Sequence, residues 1–289
     1  MPDGNLNTGE CHENTECKNP NTPGTFGTQR SPLWRYYSDE KPDGYGPKPG
    51  ELFSRDREAA GEIDWQKAFG NFSCIMGNIW LARKKKKAAW ISHEECGCMG
   101  GGFYSGVYGP YLDMNVFYVS TGIPGTPIEG ERYMPSPEAM RAFLDESTPP
   151  PAPRKYCIIK PLAQFTDAEP PLVVTFFARP EVLSGLHSLV GYTTGSTNAV
   201  VAPFGAGCTN IIAWPLIYQQ RGMECAVLGG FDLSARKFMK TDELTFAVPL
   251  PLYRKMLEAQ ETSALTRHTW EGVRKKVMKS RQTWGEEKA

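Results

Sequence analysis

Eight cysteines punctuate a chain of 289 residues, and two of them close the same local pattern. Ala88-Ala89-Trp90-Ile91-Ser92 leads into Gly97-Cys98, and Ala199-Val200-Val201-Ala202 leads at the same spacing into Gly207-Cys208. A strand that runs into a Gly-Cys turn, used twice, predicts two thiols at equivalent positions of a pseudo-symmetric fold. Glycine lets the backbone approach a sulfur closely and offer it N–H groups. A cysteine at a helix start is further acidified by the unpaired N–H groups there.

Two more cysteines extend the set. Cys96 stands two residues before Cys98, a spacing that suits thiolates facing one metal, and Cys74 lies on a predicted helix before the first strand. Cys74, Cys98 and Cys208, with Cys96 or Cys225 as a fourth, make a thiolate cage of the kind that holds an iron–sulfur cluster or zinc. The alternatives are a thiol-redox pair of Cys98 and Cys208, or cysteines that only pack a non-catalytic binding module. Cys157 and Cys225 sit in apolar runs and read as core, whereas Cys11 and Cys17, around His12, read as solvated thiols of a polar segment.

Other groups flank these thiols. His93-Glu94-Glu95 precedes Cys96 and offers a base or mixed ligands. Asp232 and Arg236 follow Gly229-Gly230, four residues apart. They read as a local ion pair or cap, or as a small-anion site in which Asp232 orients Arg236. No phosphate-binding loop, nucleophile elbow or zincin motif occurs in the sequence.

The elements that must position these residues are legible in outline. Asp64 to Arg83 repeats apolar residues at helical spacing and ends in four lysines, followed by the strand Ala88 to Ser92. The glycine-rich loop to Gly102 is expected not to be helical. Val116 to Val119 reads as a strand, and Met134 to Asp145 as a helix opening on prolines. A stiff Pro-rich connector follows, residues 147–155. In the second half, Leu172 to Ala178, Asn198 to Ala202, Cys225 to Leu228 and Leu244 to Val248 read as strands. Helices are expected over 181–192 and 210–219, and from Pro249 to Leu257. Met134-Pro135-Ser136-Pro137 matches Val248-Pro249-Leu250-Pro251, which supports an internal duplication.

The expected architecture is a mixed α/β domain of two related halves, 60–146 and 156–262 within residues 56–262. A polar N-terminal arm (1–55) wraps the body through Trp34, Tyr36 and Tyr37. A basic amphipathic C-terminal helix (263–289) packs on its flank or forms a homo-oligomer contact. Hydrophobic residues at 40% and aromatics at 11% provide a core, and a net charge of zero gives no global drive toward nucleic acid. With no apolar start and no long apolar run, the chain reads as soluble and cytoplasmic.

The ordered combination carries a resemblance. Cys74, Cys98 in its Cys-Met-Gly-Gly loop, Gly207-Cys208, Gly230-Phe231-Asp232-Leu233-Ser234-Ala235-Arg236 and the Pro-x-Pro helix together resemble the uncharacterised ArCR family, or domain of unknown function 169. The likeness runs over roughly residues 60 to 262 and is best from Pro161 onward. The long arm and Cys96 depart from the family pattern. The resemblance implies a shared fold and site, and the anaerobic metabolism of the archaea and bacteria in which the family is common. It implies no particular reaction.

Overall fold

Val173–Ala178 is buried at every position, as expected of a strand covered on both faces. The computed structural model describes residues 33–38, 74–86, 88–92, 98–106, 116, 119–120, 133–164 and 170–284. Among these, a seven-stranded sheet is formed by β1 (Leu33–Ser38), β2 (Ala89–Ser92), β3 (Tyr156–Pro161), β4 (Val173–Ala178), β5 (Val200–Val201), β6 (Ala226–Gly229) and β7 (Leu244–Pro249). Its order is β2-β3-β1-β4-β7-β6-β5. Every pairing is antiparallel except β5 with β6.

Alternation along β4 divides the core into two layers. Val173 and Phe177 face α1 (Ile75–Lys85), α2 (Met99–Tyr104), α3 (Pro137–Glu146) and α5 (Trp214–Gln220). Val174, Phe176 and Ala178 face α4 (Pro180–Thr194) and α7 (Leu250–Gln260). Three cysteines described below lie on the first of these faces. A short helical turn, α6 (Leu233–Arg236), leads toward β7, and α8 (His268–Trp284) ends the described chain.

Expectation and structure part company in several places, among them β3, which no expected strand covers. The supposed wrapping arm contributes β1, which pairs with β3 from Leu33↔Pro161 to Ser38↔Tyr156 and with β4 on its other side. A polar, Pro-rich context hid a strand whose partners lie far along the chain. Val116, Val119 and Ser120 have helical backbone, and the Ser120 hydroxyl donates to the Val116 carbonyl one turn back at 2.7 Å. The Gly-rich segment after Cys98 is helical because α2 buries Phe103 and Tyr104 in the core. Tertiary packing there outweighs poor intrinsic propensity. The two strands expected to be equivalent also pair differently among the described residues. β2 pairs antiparallel with β3, whereas β5 pairs parallel with β6.

The connector is packed rather than free. Ala152 N–H donates to the Gly106 carbonyl at 2.9 Å, just after α2. A buried ion pair ties α1 to the start of β7, with Arg83 2.9 Å from Glu243 and its guanidinium stacked over Phe177 at 3.9 Å.

Candidate functional site

Three cysteines begin three helical segments on one side of the sheet. Cys74 is the residue before α1, Cys98 the residue before α2, and Cys208 opens a π-helical turn, Thr209–Ala213, that runs into α5. Pro215 accounts for that turn. It has no N–H to give the Ile211 carbonyl and its ring crowds that oxygen, so the Trp214 N–H reaches back to Thr209 instead.

Close packing brings the starts of α1 and α2 together. A side chain at Gly101 would lie 3.3 Å from Ile75 Cβ, a tight contact, so glycine lets the first turns of the two helices meet closely. Gly101 N–H donates to Cys98 Sγ at 3.3 Å. Cys98 in turn hydrogen-bonds Cys74, and this is the largest influence on the Cys74 thiol. Burial opposes it, while the Met76 and Gly77 N–H groups at the helix start, with a smaller pull from the Lys237 ammonium, favour the thiolate. The balance brings Cys74 down to about 6. Cys74 is therefore biased toward the thiolate, with Cys98 as its hydrogen-bond partner.

Cys208 has the opposite character. Its burial, together with the negative charges of Cys74 and Asp232, holds its thiol well above the ordinary range. It sits beside a buried hydroxyl group of Tyr104, whose acidity is suppressed by burial and by Cys208. The Thr209 and Ser147 hydroxyls face the same phenol and pull the other way, partly offsetting its burial.

Asp232 fixes the loop that carries Cys208. Its carboxylate accepts the Gly207 N–H at 3.0 Å and the Tyr133 hydroxyl at 3.2 Å. Gly207 is required by close approach, since a Cβ there would fall 2.7 Å from Ala235 Cβ and 3.3 Å from Met76 Sδ. Arg236 does structural work on the same loop. Its guanidinium donates to the carbonyls of Gly230, Lys240, Thr241 and Glu243 at 2.6–3.1 Å. Asp232 thus acts as a brace, and Arg236 as the internal scaffold of residues 230–243.

The structure therefore brings together Cys74, Cys98, Cys208 and Asp232 of the expected set. Cys96, His93, Glu94, Glu95, Cys11 and Cys17 lie outside the described residues. Cys157 is buried within β3, and Cys225 lies beside Tyr218 at the start of β6, where burial raises its thiol to about 11. Among the described residues no group of three or more His, Cys, Asp or Glu side chains is disposed to hold a metal ion. Cys74 and Cys98 share a hydrogen bond and Cys208 is buried, while Cys96, the expected fourth ligand, lies outside the described residues. Sequence reasoning missed Tyr104, Tyr133 and Lys237. Tyr104 lay just past the segment read as a loop, and only tertiary structure brings Tyr133 to Asp232.

Fold and site together define a mixed α/β protein with a thiol cluster at helix starts on one face of a single sheet. A model of the family described as DUF169, uncharacterised ArCR, matches residues 24–259, and the chain belongs to that family. The match reaches back far enough to include β1. No curated protein and no solved structure matches the chain.

Proposed function

We propose that this ArCR protein performs thiol–disulfide chemistry, with Cys74 as nucleophile and Cys98 as resolving thiol. The observation that carries this reading is the hydrogen-bonded pair of Cys74 and Cys98 at two closely packed helix starts, where that bond and the Met76 and Gly77 N–H groups draw the Cys74 thiol down to about 6. Cys74 Sγ⁻ attacks one sulfur of a disulfide, forming a mixed disulfide and releasing the other sulfur as a thiolate that takes a proton from water. Cys98 then loses its proton and attacks Cys74 Sγ. The second thiol leaves and the Cys74–Cys98 disulfide remains, two electrons having passed to the substrate. A dithiol reductant returns the pair to the reduced state. Cys208, held neutral, lies behind the pair as a buried packing thiol.

The five free cysteines of the described residues agree with a reducing, cytoplasmic setting. Among the described residues no helix is long and apolar enough to cross a membrane. The exposed Val273, Val277 and Met278 of α8 support self-association through the C-terminal helix.

Alkylation tests the assignment. Iodoacetamide should modify Cys74 first, with a rate that rises through pH of about 6 and then levels off. Cys98→Ala should move that midpoint up toward the ordinary thiol value of 9.0. A midpoint near 9 in the unaltered protein would sink the reading. Iron and acid-labile sulfide in protein prepared without oxygen would replace it with a cluster completed by Cys96, the earlier metal expectation. Unchanged partner binding and reactivity in Cys74→Ala with Cys98→Ala would leave a packing role alone.

A further inference from the structure

Three large apolar side chains stand exposed on the two loops that meet beside Cys208: Phe204 is 54% exposed, Phe231 57% and Leu233 77%. They are neighbours through the brace already described. The Phe204 ring lies edge-on to Tyr133 with centroids 6.5 Å apart. Tyr133 donates to Asp232, and Asp232 stands between Phe231 and Leu233 in the chain. Phe204 begins the turn that ends in Cys208, whose Gly207 N–H is held by the same carboxylate.

Such exposure calls for an explanation, because lone apolar residues are ordinary but a cluster beside a reactive group is not. Small molecules are taken by concave sites that enclose most of their surface. These side chains protrude from two loops instead, and Arg236 holds one of those loops stiffly through four main-chain carbonyls. Rigid, projecting aromatic and aliphatic groups suit the anchor role in a macromolecular interface. The loop also carries the exposed cations Lys237 and Lys240, which complement an acidic partner.

We propose that Phe204, Phe231 and Leu233 form the docking rim for a protein substrate, one that presents its disulfide on an apolar segment flanked by acidic residues. This rests on the thiol–disulfide reading above. The rim holds the segment while Cys74 attacks, so it governs which disulfides are reduced and leaves the chemistry of the pair untouched.

The test uses the full reduced chain and three stated probes. One is a synthetic peptide disulfide flanked by Phe, Leu and Glu; the second carries Ser and Lys at those positions; the third is hydroxyethyl disulfide. The unaltered protein should reduce the apolar–acidic peptide about tenfold faster than its Ser/Lys counterpart. Phe231→Ser with Leu233→Ser should erase that preference and leave the hydroxyethyl disulfide rate unchanged. Equal rates for the two peptides in the unaltered protein would overturn the proposal. So would a variant that slows hydroxyethyl disulfide as well, which would mean that the loops shape the thiol pair. Fluorescence anisotropy of the apolar–acidic peptide with serine in place of its cysteines separates docking from chemistry. If hydroxyethyl disulfide does not react, the thiol–disulfide reading fails. Docking then stands if this peptide binds and the double variant abolishes binding, and falls if it does not bind.

Discussion

Cys74 and Cys208 are the same residue type at similar helix starts, yet their surroundings push them in opposite directions. For Cys74, a donated hydrogen bond and helix-start N–H groups outweigh burial; for Cys208, burial and neighbouring negative charge win. This division has a consequence for stability. Because the folded Cys74 thiol is depressed from 9.0 to about 6, the folded state binds fewer protons than the unfolded chain between those values. Its contribution to stability is full above pH 9, diminishes below it, and is gone once pH falls beneath about 6. Chemical denaturation of reduced protein should show a Cys74-dependent gain in stability from pH 6 to 9, absent in Cys74→Ala. Equal slopes for both proteins would count against an ionised Cys74. The cysteines themselves were legible, since a Gly-Cys turn after a short strand draws attention to Cys98 and Cys208. Which sulfur is ionised was not legible, because it depends on the approach of α1 to α2 at Ile75 and Gly101.

Local devices outweigh propensity in the elements that hold the site. Pro215 displaces the helix register after Cys208, and buried aromatics make a helix of a Gly-rich segment. The segment 230–243 owes its shape to one guanidinium spread over four carbonyls. Lysine cannot replace that planar fork. Arg236→Lys and Arg236→Gln should therefore both cost about 3 kcal/mol of unfolding free energy. Amide exchange should accelerate within residues 230–243 before the rest of the sheet. A rescued lysine variant would show that charge alone holds the loop. The sequence placed Asp232 and Arg236 together as an ion pair or an anion site. The structure separates their work, with Asp232 turned to Gly207 and Tyr133 and Arg236 to its own loop. Nothing in a four-residue spacing could reveal that, because the partners come from residues 133, 207 and 240–243.

For the whole molecule, the decisive strand is one that the sequence hid. Strong β-branched and aromatic runs exposed β4 and β7, and the pattern located the helices on either side of them. β1 lies in a segment whose composition reads as an arm, and only pairing with β3 and β4 makes it an interior strand of the sheet. Removing residues 1–40 should leave β3 and β4 with unsatisfied facing edges, which invites aggregation. The truncated chain should fail to give a soluble, cooperatively unfolding protein, as read by size-exclusion chromatography and thermal melting. Removing residues 268–289 should be tolerated, since most described side chains of α8 are exposed. A stable chain without its first 40 residues would refute the interior placement.

That placement also sets the order in which the molecule can be born. β1 leaves the ribosome before the residues it must pair with, Val173 to Thr175 and Tyr156 to Pro161, which are made only after the intervening helices. The nascent chain therefore carries an unmatched strand until residues 156–175 are made, and closing the sheet is a long-range event of the kind that slows folding.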